Sequence, residues 1–142
     1  MDTSLNKLRT LNRTAGLLHL ASFIAIILLA NDASLPVNAT YMTEAPGTGS
    51  FSSPVQLFNL NISYMVAAFL FLSAFFHFFI TSGGNFARYT DGLSKHINVY
   101  RWVEYSLSSS IMIIVILQLN GVTQISTLIA VFGVNVSMIL FG

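Results

Sequence analysis

The sequence predicts an all-α membrane protein with four transmembrane helices. Hydrophobic residues make up 54% of the 142 residues and charged residues only 8%, whereas a water-soluble domain carries about 25% charged residues. Four apolar segments of about 20 residues follow one another, and each is long enough as a helix to cross a bilayer. The alternating apolar and polar pattern of a transmembrane β-barrel is absent from the sequence.

The first predicted helix covers residues 11–31 and ends at Asn31-Asp32. A signal peptide is the competing interpretation, because a basic start, an apolar core and Ala30-Asn31-Asp32-Ala33 loosely fit that plan. The apolar stretch is longer than a usual signal core and contains His19, which favours a retained helix.

Residues 32–61 form the predicted extracellular loop, which is long for a connection within a helix bundle. Thr40-Tyr41-Met42 and Phe51-Ser52 flank a glycine-rich turn at Pro46-Gly47-Thr48-Gly49, which predicts a β-hairpin. The alternative is an irregular loop. Two segments match the glycosylation pattern, which is common by chance: Asn38-Ala39-Thr40 and Asn61-Ile62-Ser63.

The other three helices are predicted at residues 62–82, 97–119 and 122–141. Glycine favours helix ends, and Ser82-Gly83-Gly84 and Asn120-Gly121 follow the second and third helices.

Basic residues give the predicted orientation. All six lie before the first helix, between the second and third, or at the entry of the third, and none follows the first or third helix. By the positive-inside rule, we expect a multi-pass protein of the cell membrane with a cytoplasmic N-terminus. The six are Lys7, Arg9, Arg13, Arg88, Lys95 and Arg101.

Composition also excludes several classes of partner and chemistry. A net charge of +1 with six basic residues cannot make a nucleic-acid groove, so the expected surroundings are the lipid bilayer. The sequence has no cysteine, which excludes disulfides and a thiolate nucleophile. We expect neither a metal site nor an enzymatic activity.

Three ionisable residues fall within the predicted spans: His19, His77 and Glu104. Such groups are costly in a membrane and normally have a partner or a function. His19 lies six residues past Arg13, His77 five before Ser82 and Glu104 three past Arg101. At 1.5 Å per residue, all three are about 5 to 9 Å from these cytoplasmic-side positions. Three helices therefore bring a carboxylate and two imidazoles to one layer, which is typical of a proton-handling cluster.

Further side chains extend this layer or could enclose a flat apolar ligand. Ser73 lies one turn from His77, and Ser108 lies one turn from Glu104. Tyr105 and Met112 on the third helix would form walls, and a face of the fourth helix carries the pair Asn135 and Met138.

Structural roles compete with these interpretations. Arg101 lies three residues before Glu104 and could simply form an ion pair with it on one helix. The serines of the third helix could serve as small packing residues, and Trp102 with Tyr105 could be interface anchors.

The third-helix string Arg101-Trp102-Val103-Glu104-Tyr105-Ser106-Leu107-Ser108-Ser109-Ser110 resembles that of the heliorhodopsins. The resemblance continues in 132–142 of the fourth helix, in 73–78 of the second and in 12–16 with His19 of the first, so it covers essentially the whole chain.

This resemblance implies a retinal-binding light sensor with an inverted seven-helix bundle that forms dimers through a β-hairpin in the first outward loop. It implies Glu104 as the counterion of the retinal Schiff base and His19, His77 and Arg101 as a polar, proton-accepting cluster. The implied pocket comprises Ser73, Tyr105, Ser108, Met112, Asn135 and Met138. No signalling partner is identified by these residues.

The chain departs from the family in its lysines. Heliorhodopsins attach retinal to a lysine of the seventh helix, whereas Lys7 and Lys95 lie in a tail and a loop. We therefore expect the N-terminal four helices of an incomplete seven-helix bundle, without covalent retinal of its own. Two other classes of protein are alternatives: a small proton-coupled transporter that uses Glu104, and a haem-binding anchor with His19 and His77 as axial ligands.

Overall fold

The computed structural model describes residues 3–141, which contain five α-helices and one two-stranded sheet. The elements are α1 (Thr3–Leu28), β1 (Ser34–Ala39), β2 (Val55–Asn61), α2 (Ile62–Thr81), α3 (Asn85–Ser94), α4 (Val99–Leu119) and α5 (Ile125–Phe141). The long helices pack in sequence order, since α1 contacts α2, α2 contacts α4 and α4 contacts α5, and the short α3 packs against α2.

Three of the described helices, α1, α2 and α4, are long and apolar enough to cross a membrane. The chain is therefore a multi-pass membrane protein. Four spans were predicted, and the fourth corresponds to α5, an apolar helix of only 17 residues. At 1.5 Å per residue this helix is about 25 Å long, which is shorter than the roughly 30 Å hydrocarbon core.

The first helix begins at Thr3, eight residues earlier than predicted, and ends at Leu28. Its first turns are polar, but Leu5 and Leu8 pack against a cluster formed by the end of α2 and by α3. Tertiary contacts, rather than hydrophobic length, therefore extend this helix.

Helix α3 occupies a segment that was predicted only as a loop. Phe86 and Tyr89 are buried with Ile80 of α2, and Leu93 packs against the same cluster. The spacing of positions 86, 89 and 93 is that of one helical face. This helix carries Arg88 and ends before Lys95, so it lies among the basic residues.

Asparagine side chains begin two of the spans. The Asn61 side chain accepts a hydrogen bond from the backbone N–H of Tyr64 at the start of α2. The Asn98 side chain does the same for Arg101 at the start of α4. Both are N-caps, which satisfy donors that the first helical turn leaves free.

The predicted β-hairpin is confirmed as a small antiparallel sheet, although its main ladder lies farther from the turn. Strands β1 and β2 pair from Ser34 opposite Asn61 to Ala39 opposite Val55. The segments predicted to pair do so only through a single bridge between Met42 and Phe51. Gly47 and Gly49 have positive φ in the turn between them, a conformation that favours glycine.

The hairpin is attached to the bundle where α4 ends and α5 begins. The backbone N–H of Asn38 donates to the carbonyl of Thr123, and its side chain donates to the Thr123 hydroxyl. Val37 is buried against Ile114 of α4 and Leu128 of α5. We call this the hairpin end of the bundle, and we call the opposite end, where the six basic residues lie, the basic end.

Candidate functional site

One stripe of α1 faces α2 near the basic end. It contains Asn12, Gly16 and His19, at positions i, i+4 and i+7, which lie on one face of a helix. Gly16 is buried, and a Cβ atom built on it would lie 3.1 Å from the Cβ atom of His77. The missing side chain thus allows α1 and α2 to approach closely, as small residues do between membrane helices.

His77 is the centre of this contact and is only 5% exposed. Its Nδ1 atom lies 3.0 Å from Oδ1 of Asn12. Its ring stacks on the ring of His19, with 5.6 Å between the ring centroids and 13° between the planes. The two imidazoles predicted to share a layer therefore lie in direct contact.

Glu104 of α4 is 1% exposed and forms an ion pair within its own helix. Arg101 donates from Nη1 to Oε2 of Glu104 across 2.9 Å. The guanidinium also lies 5.4 Å from the centre of the Tyr105 ring, a cation–π distance. The intrahelical pair offered above as a structural alternative is thus formed.

A cavity of about 190 Å³ lies between His77 and Arg101. His77 and Asn12 line it together with Tyr89 of α3 and Arg101 of α4. Arg101, Glu104 and His19 all lie within electrostatic range of the His77 ring. The structure therefore brings the four ionisable residues His19, His77, Arg101 and Glu104 together between three helices.

Buried serines continue the polar layer along α4. The hydroxyls of Ser106 and Ser110 donate to backbone carbonyls of their own helix, at Val103 and Ser106. Ser108 is completely buried, and within residues 3–141 its hydroxyl has no hydrogen-bond partner. Because Ser108 lies one turn beyond Glu104, a carboxylate and a free hydroxyl follow each other on one face.

The residues predicted to line a chromophore pocket differ in their burial. Ser73 and Ser108 are buried, on the helix faces that also carry His77 and Glu104. Tyr105 and Met138 are exposed, and Met138 has 63% of its surface free, while Met112 is half-buried. The residues predicted to line the pocket therefore lie partly inside the bundle and partly on its surface.

Asn135 connects α5 to α4. Its side-chain amide donates to the hydroxyls of Ser109 and Ser110, at 2.8 and 2.9 Å. The serines of α4 thus serve both as small packing residues and as hydrogen-bond acceptors between α4 and α5.

Two residues of the site were not selected from the sequence as functional candidates: Asn12 and Tyr89. The spacing of seven residues between Asn12 and His19 is the signal that could have identified Asn12, because it places both on one helix face. Tyr89 could have been found from the amphipathic spacing of α3, had that segment been interpreted as a helix.

The two lysines of the sequence lie away from this layer. Lys7 is exposed on α1. Lys95 is exposed at the end of α3 and forms an ion pair of 2.7 Å with Asp91.

The heliorhodopsin family model matches residues 8–142, which is almost the entire chain. The chain belongs to the heliorhodopsin family. A comparison with curated proteins finds no match. The family assignment agrees with the resemblance of the third-helix string and with a multi-pass membrane protein.

Proposed function

We propose that this heliorhodopsin is a light-sensing, retinal-binding membrane protein in which Glu104 is the counterion of the chromophore. The observation that carries the proposal is the burial of the Glu104 carboxylate, 1% exposed, in a layer with Arg101 and two imidazoles. A carboxylate removed from water is costly unless cations and donors face it.

The residues present fit retinal in their chemistry. Retinal bound to a lysine as a protonated Schiff base supplies a light-absorbing cation next to a long apolar chain. Glu104 offers the opposite charge, and Ser108 offers a buried hydroxyl whose hydrogen-bonding capacity is unused. The exposed side chains of Tyr105 and Met138 offer an aromatic ring and a polarizable thioether, which suit a flat apolar ligand.

The protein's own residues would hold and move protons in this layer. Arg101 keeps Glu104 paired from one side. The stacked rings of His19 and His77 supply two imidazoles, the side chain that most often accepts protons in proteins. His77 lines the cavity and lies within electrostatic range of Glu104, and His19 stacks on its ring, so a proton released in the layer has an acceptor within it.

The proposal includes a lysine other than Lys7 and Lys95, because both of these side chains are exposed whereas Glu104 is buried. It also includes α5 as a fourth span, a cytoplasmic basic end and a homodimer through the hairpin. Exposed apolar side chains on the hairpin, including Phe51, Leu57 and Phe58, support a contact with a second copy.

A haem anchor fits this geometry less well. Two axial imidazoles point nitrogen atoms at one iron from opposite faces of the porphyrin. The rings of His19 and His77 instead face each other at 5.6 Å, which leaves no room for a macrocycle between them.

The test begins with the DNA that follows codon 142. Three further spans, the last with a central lysine, are expected there. The complete gene product is then expressed with all-trans retinal, and a visible absorption band that light changes reversibly is expected.

The counterion role is tested with Glu104→Gln, and Glu44→Gln in the exposed hairpin turn is the matched control. Glu104→Gln should move the band to longer wavelength, or into the ultraviolet where the chromophore loses its proton. Glu44→Gln should leave it unchanged. A complete protein without a retinal band, or with light-independent proton flux that depends on Glu104, would overturn the photosensor proposal in favour of a transporter.

A further inference from the structure

We infer that Asn12 determines which nitrogen of His77 carries the proton: Nδ1 in the neutral ring, so that Nε2 is the atom that gains and loses a proton. The consequence for proton transfer rests on the proposed function, but the protonation pattern itself does not.

The orientation of the Asn12 amide is fixed by its own helix. Its Nδ2 atom donates to the backbone carbonyl of Leu8, one turn earlier, across 3.0 Å. A carbonyl oxygen only accepts hydrogen bonds, so the opposite orientation would place two acceptors against each other. The amide nitrogen therefore points to Leu8, and the amide oxygen points to His77.

This orientation leaves His77 one favourable arrangement. Oδ1 of Asn12 lies 3.0 Å from Nδ1 of His77 and can only accept, so Nδ1 must carry the hydrogen. The same bond persists when the ring is doubly protonated, because both nitrogens are then donors. Since Nδ1 keeps its proton in both charge states, the exchangeable proton is on Nε2.

The surroundings of His77 leave Nε2 available for this role. His19 of α1 lies against the face of the ring, so it does not compete for the nitrogen atoms at the edge. Tyr89 of α3 and Arg101 of α4 line the cavity that His77 also lines. Within residues 3–141, the hydrogen bond to Asn12 is the one that the His77 ring makes.

The arrangement separates two functions within one side chain. Nδ1 holds the ring in place through Asn12, and Nε2 is left free to gain and lose a proton. Asn12 is accordingly a positioning residue: it acts on the proton through His77 and has no direct contact with the chromophore in the proposed mechanism. Hydrogen bonds from one ring nitrogen commonly set the role of the other.

The experiment is nitrogen-15 NMR of histidine-labelled protein in lipid bilayers, with His77 assigned by the signals that His77→Gln removes. Measured above the titration of the ring, wild-type protein should show a protonated-type shift at Nδ1 and an unprotonated-type shift at Nε2. Asn12→Asp keeps an acceptor at this position and should keep the pattern. Asn12→Leu removes the acceptor and should move the proton, wholly or partly, to Nε2.

Asn6→Leu is the matched control, because Asn6 is an exposed residue on the same helix, and it should leave the pattern unchanged. A proton on Nε2 of neutral His77 in wild-type protein would overturn the inference, even if Asn12→Leu fails to fold. Because the measurement needs no retinal, the expected NMR pattern in a complete gene product that forms no pigment would reject the photosensor function and leave this inference intact.

Discussion

Gly16 and His77 mark the closest approach of α1 and α2: a Cβ atom on Gly16 would lie 3.1 Å from the Cβ atom of His77 and 3.2 Å from the ring of Phe78. The close packing of His19 and His77 therefore depends on the lack of a side chain at Gly16. Since His19 lies one turn from Gly16 on the same stripe, any separation of the helices also separates the two stacked rings.

Gly16→Leu should destabilise the protein by about 1–3 kcal/mol, because extra methyl groups in a packed contact force the backbones apart. Gly133→Leu is the matched control, since a Cβ atom there meets no atom within 4 Å, and it should have a much smaller effect. Unfolding in detergent, followed by circular dichroism, measures both. Equal losses for the two variants would show that the α1–α2 contact is looser than described.

The ion pair of Arg101 and Glu104 should be strongly coupled because Glu104 is buried. A double-mutant cycle with Arg101→Gln and Glu104→Gln should give a coupling free energy of about 1–3 kcal/mol, since removing one partner leaves the other charge in a low-dielectric site. The exposed pair Asp91–Lys95 is the control and should give less than about 0.5 kcal/mol. A coupling for Arg101 and Glu104 as small as the control value would mean that water screens the pair.

These two contacts show what the sequence could and could not predict about the site. Hydropathy predicts the bounds of α2 and α4 to within two residues. Counting residues along the helices predicts that His19, His77 and Glu104 share one layer. The pairing of the His77 Nδ1 atom with Asn12 depends on the rotation of α1 about its axis relative to α2. Hydropathy alone does not predict that rotation.

The same division between hydropathy and tertiary packing holds for the fold. Spans that lie in the bilayer are defined by their apolar length, and three of the four predicted spans correspond to helices long and apolar enough to cross it. The first turns of α1 and all of α3 form because Leu5, Leu8, Phe86 and Tyr89 share one cluster. These segments are short or polar, so a search for membrane spans of about 20 apolar residues does not detect them. The ladder of β1 and β2 was likewise missed because β2 runs directly into α2 and was interpreted as loop.

The bridge from Asn135 to the serines of α4 should stabilise the packing of α5. Asn135→Leu removes two hydrogen bonds to Ser109 and Ser110, and the expected cost is about 1 kcal/mol, since interhelical hydrogen bonds in membranes average about 0.6 kcal/mol. Thermal unfolding in detergent measures it. Met138→Leu, an exposed change of similar volume on the same helix, should be neutral. If Asn135→Leu were neutral as well, α5 would be held by its apolar contacts alone.

Neither glycosylation pattern should be used, because both asparagine side chains are engaged in the fold. Asn38 donates to Thr123, and Asn61 caps α2 while donating to the carbonyl of Asn31 across 2.7 Å. In a glycosylating host, the wild-type protein should therefore show no mobility change after deglycosylation. A glycan on Asn38 would mean that the hairpin detaches from α5 during synthesis.

Thr48→Asn provides the positive control and at the same time tests the orientation. This change completes a new pattern with Gly49 and Ser50 in the exposed turn, far from the contacts that occupy Asn38 and Asn61. If the hairpin end faces outward, as the positive-inside rule indicates, this variant should gain one glycan that deglycosylation removes. An unglycosylated Thr48→Asn protein that still inserts as a multi-pass protein would place the hairpin end on the cytoplasmic side, and the basic end would then face outward against the charge rule.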